Sequence, residues 1–173
     1  LGDVYKRQVN RKEEPKNIYG ENLPSNYIVC VLGAGRPNKK WTVKGYKEEG
    51  LFCGSKGYVP VLVGAKEDYR ASKRIETKET INLVTPGGSL LDLKNFCKLA
   101  LHAKAVIGPD TGLIHLSGAV GAKVVGLYGP TRPYKFAPYN NRELVVSTNH
   151  TSKLMEDIKP KDVITKLEDI LGY

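Results

Sequence analysis

The chain has 173 residues, 40% apolar and 26% charged, with a formal net charge of +9 at pH 7. That length suits one domain with a real core, and the apolar share is that of a globular protein. No apolar run approaches the roughly 20 residues that cross a bilayer, so no membrane-spanning helix is expected. The positive balance admits a nucleic acid, an anionic membrane surface or a phosphorylated small molecule as partner, beside a merely solvated lysine-rich surface.

The opening LGDVYKRQ reads as translated adapter or vector sequence, and the single methionine is Met155. Residues 1–8 are therefore set aside as an artefact, residues 1–26 are expected to form a tail or linker, and the chain is expected to be the back part of a longer protein. Cys30, Cys53 and Cys97 are odd in number, widely spaced and set in apolar or amphipathic stretches, as reduced core cysteines are. Asn149-His150-Thr151 matches a glycosylation sequon, read here as chance.

YIVCVL (27–32) is a short β-rich run that ends at Gly33-Ala34-Gly35. A helix is expected over 41–57, weakened by Gly45, Gly50 and Gly54. YVPVLV (58–63) is the second predicted strand, 67–76 a polar helix and INLV (81–84) a third strand. After TPGG, Ser89 is placed to cap a helix over 90–103 with Asp92 in its first turn. KAVIG (104–108), KVVGLYG (123–129) and ELVVS (143–147) complete six strands, with a helix over 113–121 and a last one from Pro160 to Leu171. Short apolar runs alternating with helices predict an α/β fold, a Rossmann-like doubly wound parallel sheet.

Ligands of such sheets bind beyond the carboxyl ends of the strands. The loop GAGRPNKKW offers two glycines for close backbone approach to an anion, with Arg36 and Lys39 to bond phosphate oxygens. It completes neither the dinucleotide fingerprint nor the P-loop. In GPDTGLIHLSGAVG, Asp110 stands where a helix N-cap is expected, and Thr111 and Gly112 supply first-turn N–H groups suited to a diphosphate. His115 lies one turn above Thr111, on a helix slim enough to lie close against sheet or ligand. The loop YGPTRPYKFAPY, with Arg132 and Lys135, is stiff and aromatic, fit to wall a site or to be a surface loop.

Four segments in order, GAGRPNKKW, INLVTPGGSLLDL, VIGPDTGLIHLSGAVGAKVVGLYGPTRP followed by APY, and IKPKDVITKLEDIL, resemble the C-terminal domain of the heptosyltransferases of glycosyltransferase family 9. The resemblance covers about residues 27 to 171. It implies that residues 27–173 are the nucleotide-sugar-binding half of a two-domain GT-B enzyme, with an N-terminal acceptor domain absent. The implied donor is ADP-heptose or a related nucleotide sugar. The implied reaction is inverting, metal-independent transfer to the lipopolysaccharide inner core, with the general base in the absent domain. Alone, the chain would bind donor without turnover.

The resemblance further implies that Asp110, Thr111, Gly112 and His115 contact the diphosphate and sugar, with Lys39 stabilising the phosphates. Ala34 and Gly35 would line the nucleotide side, and Gly88 and Ser89 would lie near the adenine. Where the family often has an acid after the second-strand glycine, this chain has Gly64-Ala65-Lys66-Glu67, so either Glu67 serves one place later or the nucleotide is gripped differently. No D-x-D pair is present for a metal, and no cofactor is expected. The implied location is cytoplasmic, with peripheral contact at an anionic inner leaflet and no nucleic-acid partner. The alternatives are a nicotinamide- or other nucleotide-binding Rossmann domain and, from charge alone, a basic nucleic-acid-binding module.

Overall fold

The computed structural model of the protein describes residues 23–89, 91–148 and 152–173. Most of the expected tail, with residues 1–8, lies outside these described residues, as does the sequon at 149–151.

Strands β1 (Tyr27–Val31), β2 (Val59–Val63), β3 (Ile81–Asn82), β6 (Ala105–Pro109), β7 (Val124–Tyr128) and β8 (Val146–Ser147) form one sheet in the order β3-β2-β1-β6-β7-β8. Every pairing in it is parallel. Counted along the chain without the small hairpin β4 (Val84–Thr85) and β5 (Gly88–Ser89), this is the 3-2-1-4-5-6 order of a doubly wound sheet. The order reverses between β1 and β6, which splays apart the loops that follow those two strands.

Strand β1 is buried at all five positions because both faces of the sheet are covered. Ile28 and Cys30 point to the face covered by helix α1 (Val43–Ser55), helix α2 (Tyr69–Ile75) and helix α5 (Pro160–Leu171), through Tyr46, Cys53, Ile75, Val163 and Leu167. Tyr27, Val29 and Val31 point to the opposite face, covered by helix α3 (Leu93–His102) and helix α4 (Gly112–Val120), through Phe96, Leu99, Ile114 and Val120. All three cysteines are free and buried, as expected. Two of them enclose an acid: Cys30 and Cys53 donate to the two carboxylate oxygens of the fully buried Glu49, at 3.3 and 2.9 Å. Burial pushes the Glu49 carboxyl up to about 7, and the two thiol bonds only partly oppose it.

Three local expectations are corrected. Ser89 does not cap α3; it lies in β5, and Asp92 takes the N-cap position, accepting from Asn95 N–H at 2.7 Å. INLV is interrupted, since Asn82 Oδ1 accepts the Val84 N–H at 3.0 Å and turns the chain from β3 into the hairpin. The last predicted strand is only Val146–Ser147, because the 3₁₀ segment Tyr139–Leu144 takes up its first part. Asn141 makes that segment useful: buried, it accepts from Val124 N–H at 3.0 Å and donates to Ala122 O at 3.2 Å, pairing backbone groups at the entry to β7.

Candidate functional site

The loop after β1 is tied down at its far end. Trp41 is buried, its Nε1 donates to Ile158 O at 3.0 Å, and its ring meets that of Tyr46 edge-on with centroids 5.0 Å apart. Tyr46 OH in turn donates to Val31 O at 2.7 Å, at the end of β1. A Cβ on Gly45 would fall 2.4 Å from the Trp41 ring. The glycine that weakens α1 as a helix sequence is thus what lets Trp41 lie on it, and Thr42 restores the start by accepting from Gly45 N–H at 2.9 Å. Glycines 33 and 35 are left at the crevice, on a loop with a fixed base.

Across the crevice, β6 delivers Asp110. The expected N-cap role belongs instead to Thr111, whose extended backbone and hydroxyl, 3.4 Å from Ile114 N, start α4 at Gly112. That frees the Asp110 carboxylate to reach outward. Oδ2 accepts from Lys39 Nζ at 3.2 Å, and Oδ1 meets His115 Nε2 at 2.9 Å. Thr131 turns its hydroxyl toward the same carboxyl, near enough to favour its charge but outside ordinary hydrogen-bond geometry. Burial pushes the Asp110 carboxyl up, but His115, Lys39 and Thr131 outweigh it and hold it below the usual value. Residues 39, 110 and 115, named from sequence, therefore form one contact network at the start of α4.

A second acid was missed by the sequence reading. Asp68 is only 2% exposed, bonds Lys40 Nζ through Oδ1 at 2.6 Å and accepts from Ala65 N–H through Oδ2 at 2.9 Å. A Cβ on Gly33 would lie 2.6 Å from Asp68 Oδ2, and one on Gly64 would lie 2.9 Å from it. The strand-end glycines of β1 and β2 thus close down on one carboxylate. Its sequence signal was its spacing three residues after Ala65, that of a side chain capping a tight turn.

Two adjoining cavities open here. One, of about 920 Å³, is lined by Gly33, Ala34, Gly35, Asp68, Thr111 and Gly112 among others. The second, of about 450 Å³, runs under the hairpin past Gly88, Ser89 and Phe96. Glu67 lines both, exposed at their rim, with Lys66 beside it on the second. Leu93 and Leu113 are also shared, which makes the two one continuous cleft. Arg36 is exposed and lines neither, and the small-residue stripe of α4 serves packing: a Cβ on Gly118 would meet Pro138 Cβ at 2.7 Å.

Sheet order, switch-point crevice and paired cavities together define a Rossmann-like domain of the kind that GT-B glycosyltransferases carry. The model of glycosyltransferase family 9 (heptosyltransferase) matches residues 3–165, and the chain belongs to that family. It is 27% identical over 143 residues to the lipopolysaccharide core heptosyltransferase OpsX of Haemophilus influenzae, covering 78% of this chain and 40% of that protein. Against lipopolysaccharide heptosyltransferase 1 of Escherichia coli it is 28% identical over 128 residues, 72% of this chain and 39% of the relative. Among solved structures, E. coli ADP-heptose lps heptosyltransferase II superposes with a TM-score of 0.75 at 24% identity, covering 99% of this chain and 52% of that one. E. coli heptosyltransferase WaaC with ADP gives 0.68 at 23% identity, covering 85% and 45%. These structural likenesses speak for the fold, and the chain spans about half the length, or less, of the proteins it matches. Family membership favours the glycosyltransferase expectation over the nicotinamide and nucleic-acid alternatives. Among the described residues no helix is long and apolar enough to cross a membrane.

Proposed function

We propose that this chain is the donor-binding half of a heptosyltransferase, taking ADP-heptose or a close relative and passing its sugar, with inversion, to a lipopolysaccharide core acceptor held by another domain. The observation that carries the reading is the continuous cleft across the switch point, lined at its α4 end by Thr111 and Gly112, in a chain of this family. Lys39, Asp110 and His115 line neither cavity, and their contact network adjoins that end in sequence. The adenine fits under the hairpin at Gly88 and Ser89, and the ribose lies at the Lys66–Glu67 rim. The diphosphate meets the glycine loop, Lys39 and the N–H groups opening α4, where the helix dipole favours negative charge.

Chemistry divides the roles within the network. A carboxylate repels a diphosphate, so Asp110 holds Lys39 and His115 in place and offers its remaining lone pairs to sugar hydroxyls. As the sugar–phosphate bond breaks, charge grows on the leaving ADP, and Lys39 with the fixed N–H groups of Thr111 and Gly112 stabilises it; this route calls for no metal. The acceptor hydroxyl loses its proton to a base outside this chain. The reading puts the chain in the cytoplasm, with its surplus positive charge turned to an anionic bilayer surface.

The test is calorimetric titration of the purified chain with ADP, ADP-heptose, UDP sugars and NAD, beside an Asp110→Ala/His115→Ala double variant. Selective binding of the two ADP ligands, weakened roughly tenfold or more in the variant, is expected, a loss of at least about 1.4 kcal/mol. Preference for UDP sugars would reassign the donor, and binding of NAD alone would refute the reading.

A further inference from the structure

Between α1 and α2 lies a further cavity, of about 320 Å³, that the donor reading leaves unused. Its floor is apolar, made by Leu32, Trp41, Tyr46 and Ile75, and the polar atoms of the two aromatics are spent elsewhere, on Ile158 O and Val31 O. Arg70 and Arg74, one turn apart on α2 and both exposed, also line it. Lys40 and Asp68 line this cavity and the donor cleft alike, so their ion pair at 2.6 Å forms a wall common to the two.

Nothing in the local fold accounts for the two arginines. Residues at i and i+4 share a helix face, so two cations there repel each other, and Arg70 sits in the first turn of α2, where the helix dipole disfavours positive charge. Neither pairs with a carboxylate among the described residues, whereas Lys73 between them pairs with Glu76. Only seven of the chain's 27 basic residues are arginine, so a lysine-rich surface does not by itself put two of them in one hollow. Of the two acids in the lining, Asp68 is spent on Lys40 and the Ala65 N–H, and Glu67 is exposed and bonds neither arginine. Two guanidiniums against one free carboxylate leave one net positive charge over an apolar floor.

A planar guanidinium fork grips a carboxylate with two bonds, and an apolar floor asks for an apolar body on the same ligand. One net charge matches a monoanion. We propose that this cavity is an effector site for a small organic carboxylate, one bearing an aromatic ring or a short alkyl chain, held by Arg70 and Arg74 and read in the donor cleft through Lys40. A carboxylate seated there competes with Asp68 for the Lys40 ammonium and adds negative charge beside a cleft that takes a diphosphate, so both effects weaken the nucleotide. Linkage makes the effect reciprocal, with ADP weakening the carboxylate by the same factor. The coupling rests on the donor reading above, whereas the cavity and its arginines do not.

Trp41 is the chain's single tryptophan and lines this cavity but not the donor cleft, so its fluorescence reports the site directly. The purified chain, with and without ADP, is titrated with benzoate, hexanoate, acetate and benzyl alcohol, followed by Trp41 fluorescence and by calorimetry. Benzoate or hexanoate is expected to bind saturably, with acetate and benzyl alcohol roughly tenfold weaker or worse, because each lacks one half of the recognition. In an Arg70→Gln/Arg74→Gln variant that binding is expected to fall at least about tenfold, while ADP binding and a cooperative thermal melt are kept. Saturating carboxylate is expected to weaken ADP by roughly fivefold or more, the low end of ordinary coupling between sites. Failure of benzoate and hexanoate to bind, binding unchanged in the variant, equalled by acetate or excluded outright by ADP, or an ADP affinity that ignores the carboxylate would overturn the proposal. Arginine-dependent carboxylate binding in a chain that does not bind ADP would support the cavity and overturn the donor reading.

Discussion

Replacing Asp68 tests whether one buried carboxylate shapes the floor of the donor cleft. Asp68→Ala removes the bond to Lys40 at 2.6 Å and leaves the Ala65 N–H without its acceptor at 2.9 Å. The first loss is a charge-assisted bond with one end buried, worth about 2 kcal/mol, and the second is an unmet donor at a turn, worth about 1 kcal/mol. Unfolding in urea, followed by circular dichroism at neutral pH, should therefore show a loss near 3 kcal/mol, a large share of the roughly 5–15 kcal/mol that holds a domain folded. Asp68→Asn keeps the shape and the acceptor for Ala65 and should lose only about 1–2 kcal/mol. Because Gly33 and Gly64 both close on this side chain, ADP affinity should fall in Asp68→Ala by roughly tenfold, as the cleft floor loosens. Exposed Glu67, next in sequence, is the control: Glu67→Ala should change stability by no more than about 0.5 kcal/mol. An Asp68→Ala protein within about 1 kcal/mol of wild type would refute the reasoning and reduce the Lys40 pair to a solvated surface contact.

Two further perturbations probe other parts of the frame. Glu49 has a carboxyl raised from 4.5 to about 7, so the folded state retains a proton that the unfolded chain has released. Its contribution is then fully present below about pH 4.5 and lost as pH rises through 7, a change on the order of 3 kcal/mol. Glu49→Gln should remove that part of the slope, so its stability relative to wild type rises between pH 5 and pH 8 in paired urea titrations; parallel curves would refute it. Gly118→Ala places a Cβ 2.7 Å from the Pro138 ring and should lower stability by about 1–3 kcal/mol in thermal melts, whereas an unchanged midpoint would mean that the 138–141 segment gives way freely.

What could be read from sequence alone was set by local chemistry. Apolar runs of five or six residues broken by glycine and alternating with amphipathic stretches are enough for a parallel sheet buried on both faces, and all six strands of the sheet were named in order. The cluster of Asp110, Thr111, Gly112 and His115 was legible because its members lie within six consecutive residues at the start of one helix. Lys39 was legible only as a basic residue in a glycine loop.

Tertiary structure decided what depends on residues far apart in the chain. Lys39 meets Asp110 across 71 positions, and Lys40 meets Asp68 across 28, because β1 stands between β2 and β6 in the sheet. No periodicity carries that neighbourhood. The same holds for capping: Thr111 displaced Asp110 at the start of α4 because Lys39 and His115 offer the carboxylate better partners than a backbone N–H. Glycines 33, 45 and 64 likewise read as turns or weak helix, yet each is required by a side chain packed against it, Asp68 or Trp41. Sequence determined which segments become strands and helices, through local preference and the burial each pattern demands. The sheet order, set by how those segments cover one another's apolar faces, decided which charges share a cleft.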